Sequence, residues 1–486
     1  MTPKPYRWAD QATGFLLLVA VVFAPWAFGA TQGWSIWTLN GIGYGMGGLL
    51  AFKGLVRWKV DFEPARWNDG IGRKWPVRAL AILTVVVLGY VLVSALNARA
   101  KIDYTYLPGQ AVATGIDIEY LEPVGWLPSS YDGATTLWAF WKYLAMACAF
   151  WSARDWVLGM SRRERRLSTV ERIQGAVPSD RLARLLWTLV LSTAALSLVG
   201  ILQRLEGTRK LLWILEHTNR SEVTFGPFPY RGTASDYLNL VWPIGIAFWW
   251  ALRRRFLWVQ GAAARSGSGP HVVILPLLGI ILIGPFMTSS RGGLFIEIVL
   301  LAVSALVLWF SGRLKSAAKW SLVGVTILLM SVGWYLGGAQ LAQRFATMGD
   351  DKMSGREDLY ANGPRMVADF APFGSGAETF PKIYTLYRAN PNQRWEAYAH
   401  DDYLETRITF GWVGMGLILS ALLLVPLCGQ LSSGIPTGRT FHLLWITALG
   451  GLMLHARFDP PFQIYSIHFT FVILCAVWSC LTPVKE

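Results

Sequence analysis

The chain has 486 residues, of which 53% are hydrophobic and only 15% charged, with 25 tryptophans. Soluble domains carry about a quarter of their residues as Asp, Glu, Lys and Arg, which excludes an ordinary cytosolic enzyme and points to a polytopic membrane protein. The formal net charge of +14 would suggest nucleic acid binding in a soluble chain. Here Lys and Arg collect in alternate loops between apolar runs, as membrane orientation requires, and no nucleic acid partner is expected.

Apolar runs of span length fall at about 13–30, 34–56, 79–98, 136–158, 184–205, 235–252, 270–288, 292–310, 320–338, 410–431, 441–456 and 464–482. At about 20 residues per span, this predicts an all-α polytopic membrane protein of about 12 transmembrane helices. No internal repeat or linker divides it, so 1–486 reads as a single membrane domain, with 339–409 as an external lobe inserted between helices 9 and 10. The first run follows Lys4 and Arg7 and ends at Ala27-Phe28-Gly29, a small-x-small sequence of the kind cleaved after signal peptides. The Pro25-Trp26 pair and the second run directly after it favour a retained helical hairpin.

The loops holding Arg57, Lys59, Arg66, Arg73, Lys74 and Arg78, then Arg162, Arg163, Arg165, Arg166 and Arg172, then Arg253, Arg254, Arg255 and Arg265, then Arg313, Lys315 and Lys319, are the basic ones. The positive-inside rule places them, and both termini, in the cytoplasm. Loops 99–135, 206–234 and 339–409 mix acids with bases and are expected outside. Cys148, Cys428, Cys475 and Cys480 lie in apolar stretches without disulfide or metal spacing. No metal site and no cofactor is expected.

Within the lobe, Ser354-Gly355-Arg356-Glu357 has the form of a helix start with a capping Ser and a Glu three residues on. Leu359, Met366, Val367 and Phe370 give that helix an apolar face; Pro364 should bend it and Pro372 end it.

Three segments carry polar chemistry. Thr288-Ser289-Ser290-Arg291-Gly292-Gly293 is a very short outward turn that sets Arg291 at the N-terminus of a span, where unpaired backbone NH groups and the helix dipole favour an anion such as phosphate. The plainer reading is an arginine that reaches the headgroups or ties down a loop. Glu297, six residues on, is off the Arg291 face. Phe225-Gly226-Pro227-Phe228-Pro229-Tyr230-Arg231-Gly232 brings a second arginine, Arg231, to the same side in what by itself is a rigid turn. Tyr398-Ala399-His400-Asp401-Asp402-Tyr403-Leu404-Glu405 offers His400 as a general base tuned by neighbouring carboxylates, or else a surface histidine beside two solvated acids. Arg356, Arg365, Arg388 and Arg394 with Tyr384 and Tyr387 would suit phosphates and sugars, as would any solvated charged lobe look similar.

Together these segments resemble the O-antigen ligase and O-antigen polymerase superfamily of bacterial envelope glycosyltransferases, from about residue 184 to the C-terminus. The resemblance rests on Phe225-Gly226-Pro227-Phe228 before a Tyr237-Leu238 helix entry, on Ser290-Arg291-Gly292-Gly293, and on Ala368-Asp369-Phe370-Ala371-Pro372-Phe373-Gly374-Ser375-Gly376 with Thr379-Phe380. Ala399-His400-Asp401-Asp402-Tyr403-Leu404 and the late His455 with Phe458-Asp459 complete it. The first 180 residues match only in hydropathy and in Leu127-Pro128-Ser129. Two positions depart: Tyr230-Arg231-Gly232-Thr233 stands where members often carry Asn and His, and Asp401 where they carry Asn.

The resemblance implies a metal-independent inverting glycosyltransferase of the bacterial inner membrane, acting at the external face. Its donor would be an undecaprenyl-diphosphate glycan and its acceptor lipid A core or a second carrier-linked glycan, among membrane lipids. By the same analogy His400 activates the acceptor hydroxyl, Arg291 and Arg231 hold the diphosphate, and His455 with Asp459 helps to orient the site. A twelve-span secondary transporter is the rival reading; it predicts ionisable groups near the bilayer midplane and repeat symmetry, whereas the polar groups here gather at one face and one lobe.

Overall fold

The computed structural model describes residues 2–67, 72–105, 115–166, 178–216, 224–260, 269–311, 356–388, 397–432 and 434–484, with scattered residues between 320 and 342. It is 73% helical. The helices are α1 (Lys4–Trp26), α2 (Gly33–Val60), α3 (Trp75–Leu96), α4 (Gly133–Val157), α5 (Asp180–Glu206), α6 (Arg231–Gln260), α7 (Pro270–Thr288), α8 (Arg291–Trp309), α9 (Glu357–Asp369), α10 (Phe380–Tyr384), α11 (Asp402–Leu431), α12 (Arg439–His455) and α13 (Tyr465–Trp478). Among the described residues six helices, α1, α3, α5, α7, α8 and α11, are long and apolar enough to cross a membrane. Most of the expected apolar run at 320–338 lies outside the described residues.

Three small strand pairs join the helices: β1 (Ala100–Thr105) antiparallel to β2 (Gly115–Tyr120), β3 (Lys210–Leu211) antiparallel to β4 (Leu215–Glu216), and β5 (Ile435–Gly438) parallel to β6 (Leu481–Val484). Hydropathy does not register such short pairs, because they bury no run of span length.

The chain divides into two compact units, Met1–Pro76 with Cys148–Thr347 and Val425–Glu486, and Val77–Ala147 with Met348–Leu424. The first is a bundle in which α6 packs against α5, α7, α8 and α12, while α1 packs against α2, α5 and α13. Helix α5 starts on a Ser179 cap, whose hydroxyl accepts from Leu182 N, and stops at Gly207 in the left-handed region at φ 72°. Charge is buried at one end of this bundle. Lys53, fully buried, lies 2.7 Å from Asp155 and 3.4 Å from Asp10, and Arg181 meets Asp10 at 2.6 Å. Arginines expected merely to mark cytoplasmic loops therefore include members of a structural network: Arg57 and Arg66 both pair with Asp155.

In the second unit, α11 is broken at Gly411 (φ 62°, ψ −171°). The carbonyls freed there are taken up by the turn at 373–376 and by α3: Ser375 N donates to Ile408 O and Gly376 N to Thr409 O, each at 2.9 Å, and Tyr90 donates to Phe410 O as well as to Phe373 O. The break is thus satisfied backbone rather than slack. Gly374 is obligatory, since its φ is 80° and a Cβ there would lie 2.4 Å from Thr409 O. The lobe helix α9 begins at Glu357 without a side-chain cap and ends at Asp369, with Pro364 inside it; Ser354, the expected cap, lies outside the described residues. Leu359, Met366, Phe370, Phe380 and Tyr384 form the apolar core of this unit.

Candidate functional site

The two arginines singled out by sequence are both first residues of helices, Arg231 of α6 and Arg291 of α8. Each helix start is built by local chemistry. Before α6, Phe225 and Phe228 exchange both backbone hydrogen bonds across a turn opened by Gly226 at φ 58°, and Phe225 packs directly on Gly200 of α5. Before α8, Ser289 ends α7 at φ 56° and Ser290 caps α8 by accepting from Gly293 N at 3.2 Å. Arg204 at the end of α5 donates to Ser289 Oγ at 3.1 Å and to Thr288 O at 3.4 Å, holding this turn from the side.

The two starts converge. A Cβ on Gly232 would lie 2.8 Å from Asp459 Oδ2, and one on Gly292 would lie 3.8 Å from the same atom and 3.3 Å from His455 Nε2. The glycine after each arginine therefore admits the α12 end, with its His455 and Asp459, between the helix starts. His455 is fully buried; its Nδ1 pairs with the Asp236 carboxylate of α6, and its Nε2 lies 3.6 Å from Asp459 Oδ2. Helices α6 and α8 are themselves locked, since Asn239 donates to Gly293 O at 2.9 Å and Trp242 donates to Asn239 at 3.2 Å. Two helix N-termini, each headed by a half-buried arginine, thus meet at an Asp236–His455–Asp459 chain.

The helix starts that carry Arg231 and Arg291 thus lie beside His455 and Asp459. Asp236 was not assigned from the sequence, although an acid inside the 235–252 apolar run is a signal that such a residue is there for its partner. Glu297 is fully buried, and neither carboxylate oxygen has a hydrogen-bond partner among the described residues.

His400 belongs to the second unit. Asp401 accepts from Tyr403 N at 3.1 Å and from Leu404 N at 3.2 Å, capping α11, while Glu405 accepts from Ala399 N at 2.8 Å. Pinned on both sides, His400 takes a left-handed backbone at φ 52°. Asp401, Asp402 and Glu405 are all buried, which removes the picture of a histidine beside two solvated acids. Asn and Asp cap helices about equally well, so the departure at Asp401 leaves the backbone role intact. The ring of His400 meets Arg356, whose Nη2 is 3.0 Å from Nδ1, and Tyr360 donates to His400 O at 3.4 Å. Beside this loop, burial pushes the Tyr398 phenol up to about 12, with Glu405, Glu378 and Asp402 adding to the rise.

The remaining lobe residues separate. Arg365 lies over the Tyr387 ring at 5.7 Å, and Tyr387 donates to Asp369 at 2.8 Å, so these three form one polar and aromatic group. Tyr384 is buried, stacked on Phe380 at 5.7 Å between ring centres, and Arg388 donates its backbone NH to Tyr384 O. Arg394 lies outside the described residues. Among the described residues, no group of three or more His, Cys, Asp or Glu is arranged to hold a metal ion.

Several apolar helices of membrane-crossing length define the class, a multi-pass membrane protein. The family model described as O-antigen ligase matches residues 276–419. That match, which contains Arg291, Arg356 and His400, supports the O-antigen ligase and polymerase superfamily. Arg231, Asp236, His455 and Asp459 lie outside the matched stretch. No curated protein and no solved structure gives a match.

Proposed function

We propose that the chain is an O-antigen ligase-like or polymerase-like glycosyltransferase that moves a glycan from an undecaprenyl-diphosphate carrier to an acceptor hydroxyl at the external membrane face. The acceptor is lipid A core or a second carrier-linked glycan. The observation that carries this reading is the convergence of the two helix starts headed by Arg231 and Arg291 on the braced His455 and Asp459. Two arginine-headed helix N-termini suit a diphosphate, whose charge grows as it leaves.

In the reaction the acceptor oxygen attacks the anomeric carbon from the face opposite the carrier, the bond from that carbon to the phosphate oxygen breaks, and the diphosphate keeps the electron pair. The arginines stabilise that charge through paired donors, so the leaving group needs little acid catalysis. The proton of the acceptor hydroxyl goes to His400. For its Nδ1 to accept it, Arg356 must first exchange the imidazole for an anionic group of the substrate. Arg365, Arg388 and Tyr387 are the lobe residues that would meet sugar or phosphate. The same reading places the protein in a bacterial inner membrane with about 12 spans, both termini cytoplasmic and the 339–409 lobe periplasmic. The O-antigen ligase match supports it over a secondary transporter.

The test is direct. Purified protein is incubated with an undecaprenyl-diphosphate glycan, with and without lipid A core. Glycan transferred to the core marks a ligase, and glycan lengthened on the carrier marks a polymerase. Glycan left unchanged under both conditions, by protein that does transport solute in vesicles, would overturn the reading.

A further inference from the structure

Helix α5 carries four exposed leucines, Leu191, Leu198, Leu202 and Leu205, whose spacing of 7, 4 and 3 residues puts them on one face. On a membrane-crossing helix this is the lipid-facing stripe. It stops at Gly207, where the chain turns into the β3–β4 hairpin.

That hairpin is unusual in both shape and content. Its register pairs Lys210 with Glu216 and Leu211 with Leu215, leaving Leu212, Trp213 and Ile214 as the tip. Leu212 and Trp213 have φ of 51° and 60°, a left-handed conformation that bulky side chains adopt at a cost and that Gly or Asn would take freely. The strained tip is nevertheless held firmly to the helix end: Gln203 donates to Lys210 O at 2.8 Å, and the Trp213 indole donates to Glu206. What these contacts hold out is apolar. Ile214 is 76% exposed, Trp213 42% and Leu215 38%.

We infer that this hairpin is an interfacial anchor, its tip of Trp213 and Ile214 set into the boundary between headgroups and acyl chains of the leaflet where α5 ends. The lipid-facing stripe of α5 runs directly into the hairpin, so the tip sits at the edge of the hydrocarbon layer, where an isoleucine loses its contact with water. Trp is the residue of this boundary, with an apolar ring and an NH that keeps a polar partner, here Glu206. Arg209 and Lys210 stand at the level of the lipid phosphates, which attract cations. Of the nearby acids, Glu216 pairs with Lys210 at 3.7 Å and Glu206 takes the indole NH. The anchor does not depend on the glycosyl transfer reading, because it needs only that α5 crosses a bilayer.

The experiment uses the full chain in lipid nanodiscs at one copy per disc, in a Cys148→Ala background; Cys428, Cys475 and Cys480 are buried. Ile214→Cys and, as the water-facing control, Glu216→Cys are labelled with the fluorophore NBD. The label at 214 should lose most of its emission to nitroxide-bearing phosphatidylcholine and little to aqueous iodide, with the reverse at 216. Iodide quenching at 214 equal to that at 216 would overturn the anchor. So would protection from both quenchers, which means that the tip is covered by protein. If Ile214→Cys does not fold, Trp213→Cys gives the same reading.

Discussion

Nη2 of Arg356 lies 3.0 Å from Nδ1 of His400. A guanidinium group only donates and does not lose its proton, so Nδ1 is the acceptor and the neutral ring carries its hydrogen on Nε2. The carboxylates near it in sequence also serve the backbone: Asp401 caps α11 and Glu405 accepts from Ala399 N. The chain has six histidines, few enough for a 15N-histidine spectrum in which His400→Gln identifies the signal. The expected result is the Nε2–H tautomer, and an Nδ1–H signal would mean that the pair does not exist in the protein in membranes. In turnover, His400→Ala should lower the rate by about 100- to 10,000-fold, the range for lost general base catalysis. Carrier-linked glycan should bind that variant as tightly as before.

Arg291→Lys should lose most of the transfer activity, as should Arg291→Ala. Lysine keeps the charge but not the planar pair of donors that fits phosphate oxygens. Steady-state transfer assays on both variants check this, and a near-normal rate in Arg291→Lys would make the residue a general electrostatic element.

Asp236 braces His455 inside the bundle, where neither is exposed. Asp236→Ala should destabilise the protein by about 3–5 kcal/mol, the usual cost of stranding one member of a buried ion pair. Asp236→Asn, which keeps shape and a polar contact, should cost less. Thermal unfolding in detergent, followed by loss of the folded monomer, measures both. Equal melting of Asp236→Ala and wild type would show that His455 needs no partner.

Asp401 acts through its side-chain oxygen at the start of α11. Asp401→Asn should therefore retain both stability and activity, while Asp401→Ala should cost about 1 kcal/mol and displace His400 from its left-handed position. Unfolding measurements with parallel transfer assays separate the two. An inactive but stable Asp401→Asn would give the carboxylate a chemical role beyond capping.

Some of this molecule was legible in the chain because it depends on neighbours in sequence. Membrane helices declare themselves by length and hydropathy alone, since an apolar run must satisfy its backbone internally wherever it lies. The turn at Ser290-Arg291-Gly292-Gly293 was readable for the same reason: a helix start and two small residues are local. So was the pairing of a Gly with each arginine. That His455 and Asp459 join these arginines was legible only as a resemblance.

What only the tertiary structure decided are the contacts between residues far apart in the chain. Asp236 and His455 are 219 positions apart, and no periodicity relates them; packing of α6 against α12 makes them a pair. Arg204 holds Ser289 across 85 positions because α5 ends beside α7. Arg356 meets Nδ1 of His400 across 44 positions. Adjacent residues on a helix point apart, whereas a buried polar atom must find a partner at hydrogen-bond distance from whatever element the fold brings near it. Packing, not proximity in the chain, brings Arg356 to His400.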